Sequence, residues 1–122
     1  MFCYQCEQAS NGKGCTKIGV CGKDPEVAAL QDLLIYSLKG LALHAVGGAK
    51  VGVIDQDVNL FMTKALFSTL TNVDFDPKRF DTLIRRSVEL REKLGAKIRQ
   101  QNGKTDFAYA SASFKPGPPV PV

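Results

Sequence analysis

The chain reads as all-α: a three-helix bundle preceded by a Cys/Gly-rich loop and followed by an extended Pro-rich C-terminal tail. Three observations lead there. Apolar residues recur at steps of three and four in three separate segments, which places them on one face of a helix. Each segment opens on an aspartate able to cap a helix N-terminus, twice with proline directly behind it. No run of strict alternation with flanking hairpin signals competes with these segments.

Asp24-Pro25-Glu26 starts the first helix with a cap acceptor, a proline preset for the first helical turn and an early negative charge facing the helix dipole. Val27, Leu30, Leu34, Leu38, Leu41 and Ala45 form its apolar stripe, and Gly47-Gly48 is the expected stop, so the helix is predicted from Pro25 to Val46. Gly40 inside it allows close approach of a neighbour or acts as a hinge. After a connection from Gly47 to Ile54, Asp55 or Asp57 caps a second helix carrying Val58, Phe61, Met62, Ala65, Leu66 and Leu70, predicted to end near Asn72. The third helix opens on Asp76 and Pro77, with Phe75 placed to staple onto Phe80, and continues through Leu83, Ile84, Val88, Leu94 and Ile98 to a terminator at Gly103. Connections this short favour antiparallel neighbours, hence an up-down-up bundle. The expected division is a loop at 1–23, a bundle at 24–103 forming one domain with it, and a linker or disordered tail at 104–122, where Ala, Ser and Pro replace the periodic pattern.

A length of 122 residues suits one small domain with a modest core. Hydrophobic content of 44% with 23% charged residues excludes wholesale disorder. The start Met1-Phe2-Cys3-Tyr4 lacks the basic region and apolar run of a secretory signal, and no stretch approaches the roughly 18 apolar residues of a membrane span. A cytoplasmic protein is expected. The net charge of +4 is mild, and the basic residues between Lys78 and Arg99 are diluted by Asp81, Glu89 and Glu92, the pattern of a solvated face rather than a nucleic-acid surface.

All four cysteines lie in the first loop, as Cys3-x2-Cys6-x8-Cys15-x5-Cys21, with Gly12, Gly14, Gly19 and Gly22 among them. In a reducing compartment clustered thiols are metal ligands more often than disulfides. Iron-sulfur clusters take four thiolates, and glycines let backbone N–H groups approach the sulfurs. Lys13, Lys17 and Lys23 offer compensating charge, the positive end of the first helix lies close in sequence, and Phe2 and Tyr4 are candidates to shield one side. Structural zinc is the competing reading, since Cys3-x2-Cys6 is an ordinary half-site, although Cys15-x5-Cys21 is looser than the usual second pair. Disulfides or free thiols stay open, and a thioredoxin-like reading lacks its βαβ context.

Cys3-Tyr4-Gln5-Cys6-Glu7-Gln8, then Gly14-Cys15-Thr16-Lys17-Ile18-Gly19-Val20-Cys21-Gly22-Lys23, then Leu30-Gln31-Asp32-Leu33-Leu34-Ile35-Tyr36, closely resemble the N-terminus of the hybrid-cluster proteins, also called prismane proteins or hydroxylamine reductases. The likeness extends less strongly through Leu66-Phe67-Ser68-Thr69-Leu70-Thr71-Asn72 and covers about the first hundred residues. The resemblance implies that Cys3, Cys6, Cys15 and Cys21 hold one cubane [4Fe-4S] cluster, the short spacing being unlike that of the family's [2Fe-2S] subset. It also implies that the hybrid Fe-S-O cluster, where hydroxylamine or nitric oxide is reduced, takes histidine, glutamate and cysteine ligands from downstream domains that have no counterpart here.

The function expected from this is the electron-transfer portion of an oxidoreductase, with no catalytic residue of its own, taking electrons from a redox donor protein and passing them to downstream catalytic domains or a second copy. The alternative is a zinc-stabilised, non-enzymatic interaction module that binds through its basic third helix. A sensor signalling through cluster loss is a third reading. His44, the lone histidine, is read as a capping or partly exposed residue before a ligand, Asp55 and Asp57 as caps before a carboxylate pair, and Met62 as core. No phosphate-binding glycine motif or Ser/His/Asp set appears.

Overall fold

The computed structural model describes residues 3–71 and 73–118. It contains three α-helices, α1 (Pro25–Ala49), α2 (Gln56–Ser68) and α3 (Pro77–Gln100), with single 3-10 turns at Ser10–Gly12 and Ala110–Ser113. Among the described residues there is no strand, only an isolated bridge between Cys3 and Cys15.

The helix starts follow the local chemistry. Asp24 accepts a hydrogen bond from the Val27 N–H at 2.8 Å, Asp55 from Asp57 and Val58 at 2.9 and 3.3 Å, and Asp76 from Lys78 at 3.0 Å. Asp55 is therefore the cap of α2, and Asp57 is an exposed residue of its first turn.

The ends depart from expectation. α1 continues through Gly47 and Gly48 to Ala49. These glycines are close-contact positions inside the last turn: a Cβ on Gly48 would stand 3.0 Å from the Val53 carbonyl and 3.2 Å from the Ile98 side chain. The reversal falls instead at Gly52, which takes φ +80°. α2 ends at Ser68, ahead of the expected boundary, and Asn72 itself lies outside the described residues. At the end of α3 the positive φ belongs to Asn102, at 60°, while Gly103 donates back to the Ile98 carbonyl at 2.9 Å.

The core sits chiefly between α1 and α3. Val27, Leu34, Leu38 and Leu41 of α1 meet Phe80, Leu83, Ile84, Leu90, Leu94 and Ile98 of α3, with Val58 and Ala65 the fully buried residues of α2. Phe75 and Met62 pack at the edge of this cluster. Ser37 donates to Ser87 at 2.9 Å, His44 lies beside Gly95 and Gly48 against Ile98, so partners advance together and α1 and α3 run parallel. Lys97, late in α3, pairs with Asp55 at the start of α2 at 2.9 Å, as an antiparallel α2 requires. Much of the charge on α3 is paired along the helix, Arg85 with Asp81 and Glu89 with both Arg86 and Lys93.

The segment expected to be a linker or tail packs onto the bundle over its described part. Phe107 stacks edge-on against His44 with centroids 4.9 Å apart, and Phe114 against Tyr36 at 5.5 Å. Ser111 and Ala112 are buried against α1. Arg91 of α3, only 2% exposed, donates to the carbonyl oxygens of Phe114 at 2.7 Å and Ser111 at 3.4 Å. Composition alone does not reveal this, because the segment is held by its backbone carbonyls and two phenylalanines rather than by helical periodicity. Residues 119–122 lie outside the described part.

Candidate metal centre

The loop ahead of α1 folds against the end of the bundle where α1 and α3 begin and α2 has just ended. Cys3 and Cys15 exchange both backbone hydrogen bonds, at 2.7 and 3.4 Å, which ties the first half of the loop to the second. Between them Ala9, Ser10 and Gly12 make a tight turn, with Asn11 at φ 57°. After Cys21, Gly22 takes φ +96° and reverses the chain, and the Gly19 N–H donates to the Lys23 carbonyl at 2.7 Å. Asp24 then starts α1, so the helix cap fixes the last corner of the loop.

This folding brings all four cysteines to the wall of one cavity, together with Gln5, Gln8, Ala9, Gly19, Val20, Lys23 and Thr71. All four are free thiols; Cys15 is buried and Cys3, Cys6 and Cys21 are half-buried. Among the described residues, no three His, Cys, Asp or Glu side chains converge as ligands of a single metal ion. The thiols surround a space instead.

The electrostatics of the cavity favour a negative sulfur at Cys15. The backbone N–H groups of Ser10 and then Val20 hold the Cys15 thiol below its ordinary pKa, with burial opposing and the charge of Lys23 assisting. Lys23 is 2% exposed, and its Nζ lies 3.6 Å from Cys3 Sγ and 3.2 Å from Gln5 Oε1. Of the three lysines that the sequence offers as compensating charge, Lys13 and Lys17 are exposed and only Lys23 turns inward. Thr71 and Gln5 carry no sequence signal that marks them as lining residues. Tyr4, a candidate shield, is 72% exposed and borders an outer groove with Cys3, Lys23, Gln31, Tyr36 and Lys39; Phe2 lies outside the described residues.

The remaining candidates stand apart from the thiols. His44 is buried rather than partly exposed, and in its Nδ1–H tautomer donates to the Gly40 carbonyl at 3.0 Å. Burial pushes its pKa down; the Gly40 carbonyl opposes this, and Arg91 reinforces it. Asp55 is held low by Lys97 and serves as a cap. Neither lines the thiol cavity.

Residues 1–115 match the model of the Prismane/CO dehydrogenase family. The chain is 69% identical over 116 residues to the hydroxylamine reductase of Syntrophobacter fumaroxidans, which covers 95% of this chain and 21% of that protein. It is 53% identical over 116 residues to the hydroxylamine reductase of Methanocella arvoryzae, with the same two coverages of 95% and 21%. A third relative, the hydroxylamine reductase of Thermosipho melanesiensis, is 56% identical over 94 residues, 77% of this chain and 17% of that protein. The chain thus spans about a fifth of the length of the curated relatives it matches. With the match running from the thiol loop through the folded-back C-terminal segment, the chain belongs to the Prismane/CO dehydrogenase family.

Proposed function

We propose that this chain is the N-terminal iron-sulfur electron-transfer portion of a hydroxylamine reductase, with Cys3, Cys6, Cys15 and Cys21 as ligands of one [4Fe-4S] cluster. The observation that carries this reading is the convergence of all four free thiols on one cavity. The donor set fits the group: four thiols, inward backbone N–H groups and a buried cation are what an anionic thiolate-ligated cluster calls for. When bound, such a cluster supplies one-electron storage.

The residues of the chain define the rest. The Cys3–Cys15 backbone pair sets the spacing of the two loop halves, Ser10 and Val20 stabilise a thiolate at Cys15, and the cap of α1 holds the segment after Cys21. The hydroxylamine reduction for which the relatives are named belongs in this reading, as would reduction of nitric oxide, to a hybrid cluster in the further polypeptide that those longer proteins carry. The exposed Leu60, Leu66 and Phe67 of α2 are the face assigned to that polypeptide, and a redox donor protein supplies the electrons. Four free thiols suit the reducing cytoplasm, and no helix among the described residues is long and apolar enough to cross a membrane.

Anaerobic preparation followed by metal and acid-labile sulfide analysis tests the cofactor. About four irons and four sulfides per chain, with broad visible absorption, are expected. A colourless protein with stoichiometric zinc overturns the cluster reading in favour of a zinc-stabilised module. Hydroxylamine reduction by the chain alone is expected near background.

A further inference from the structure

Lys23 occupies an unusual position for a lysine. It is 2% exposed, yet it has no ion pair with any carboxylate among the described residues. Burying an ammonium without a counter-charge is costly, so such a group implies an anion close by. Its two side-chain partners are the neutral amide oxygen of Gln5 at 3.2 Å and Cys3 Sγ at 3.6 Å. Of the two, only the sulfur belongs to the four-thiol set that surrounds the cavity.

The backbone holds this contact in place. Gly22 donates to the Gly19 carbonyl at 2.8 Å, and Gly19 donates to Lys23 at 2.7 Å. A Cβ on Gly19 would stand 3.0 Å from the Lys23 carbonyl and 3.1 Å from its Cβ, so the glycine lets the start of the lysine stem press against the turn. On the other side, the Asp24 cap locks the next residue into the start of α1. Lys23, like Cys3, forms wall in both the thiol cavity and the outer groove, so its ammonium sits where the two spaces meet.

We propose that Lys23 is a positioning residue that sets the reduction potential of the centre, by donating from a fixed, buried ammonium to the sulfur of Cys3. This rests on the cluster reading above. An added electron makes a thiolate-ligated centre more negative, and a cation hydrogen-bonded to one of its sulfurs stabilises the reduced form more than the oxidised one. Gln5 orients the ammonium through its side-chain oxygen. Lys13 and Lys17, being exposed, are screened by water and act weakly.

The test is a dithionite-driven potentiometric titration, followed by visible and EPR spectra, of the full chain prepared anaerobically. Lys23→Met is expected to hold the same iron and sulfide as wild type but to be reduced at lower potential. A tenfold loss in the reduction equilibrium is expected, about 59 mV for a one-electron couple. Lys23→Arg should keep most of the wild-type potential, and Lys17→Met, which removes the same formal charge from the surface, should leave the potential in place. Should Lys23→Met fail to retain iron, Gln5→Leu keeps the lysine and removes its orienting acceptor; a smaller shift in the same direction is then expected. An unchanged potential in iron-replete Lys23→Met, or in Gln5→Leu where Lys23→Met holds no iron, overturns the role of Lys23 alone. Wild-type protein without iron and sulfide overturns the cluster reading and this inference with it.

Discussion

The backbone carbonyl of Ser111 lies against Gly40, in the space where any other residue at position 40 would place its Cβ. The small residue in the middle of α1 is therefore there for the returning C-terminal segment, not as a hinge and not for a neighbouring helix of the bundle. Gly40→Ala gains roughly 1 kcal/mol of helix propensity but must displace a backbone carbonyl. The expected net loss is about 2 kcal/mol in urea-unfolding free energy. An unchanged or raised midpoint would count against the contact.

Arg91 links the same segment to α3. Its guanidinium is buried and donates to two carbonyl oxygens of that segment, while the other end reaches Glu92 at 2.8 Å. Arg91→Met removes the donors and leaves the acceptors without partners, a loss of about 2–4 kcal/mol. Limited proteolysis should then cut faster between Lys104 and Lys115, and equal cutting rates in the two proteins would contradict the assignment.

His44 makes stability sensitive to acid. Its folded pKa is lowered, by burial above all, so between that value and the ordinary 6.5 the unfolded chain binds a proton that the folded chain does not. Stability is therefore full above pH 6.5 and is lost as pH falls through this window. Thermal midpoints measured from pH 7.5 downward should decline, and His44→Gln should flatten the slope. A variant that keeps the full slope would assign the effect elsewhere.

Asp55 works in the opposite range. The hydrogen bond from Lys97 holds its carboxyl below the ordinary value, so its contribution is present above about pH 4 and lost as pH falls through the folded pKa. Asp55→Ala removes both the cap of α2 and the link to α3. A loss of about 1 kcal/mol is expected, mostly from the cap. Hydrogen exchange should accelerate first in α2, whose burial rests on few residues.

Each cysteine should matter to iron content. Serine at Cys3, Cys6, Cys15 or Cys21 removes one of the thiols lining the cavity, and under the proposed cluster reading iron and sulfide are expected to fall toward background in each case. Full iron retention in any of the four would remove that residue from the ligand set.

The parts of this protein legible in its sequence are those whose cause is local. Asp24, Asp55 and Asp76 mark the helix starts because a cap acts on N–H groups two or three residues away, and proline at the first turn adds to two of them. The apolar stripes mark the core faces, and the cysteine spacing marks the loop. Gly47-Gly48 misleads because glycine serves two purposes: it can end a helix, or it can let a distant side chain such as Ile98 come close, and the distinction lies in the partner.

The sequence by itself thus determined an all-α chain, its three helix origins and a four-thiol loop at one end. Only the tertiary structure decided that residues 104–118 pack back along α1, that Arg91 and His44 are buried, and that of three nearby lysines Lys23 alone faces a sulfur. The physical reason is range. Caps, turns and periodicity act within a few residues, whereas burial and charge pairing depend on groups that meet only after the chain has folded.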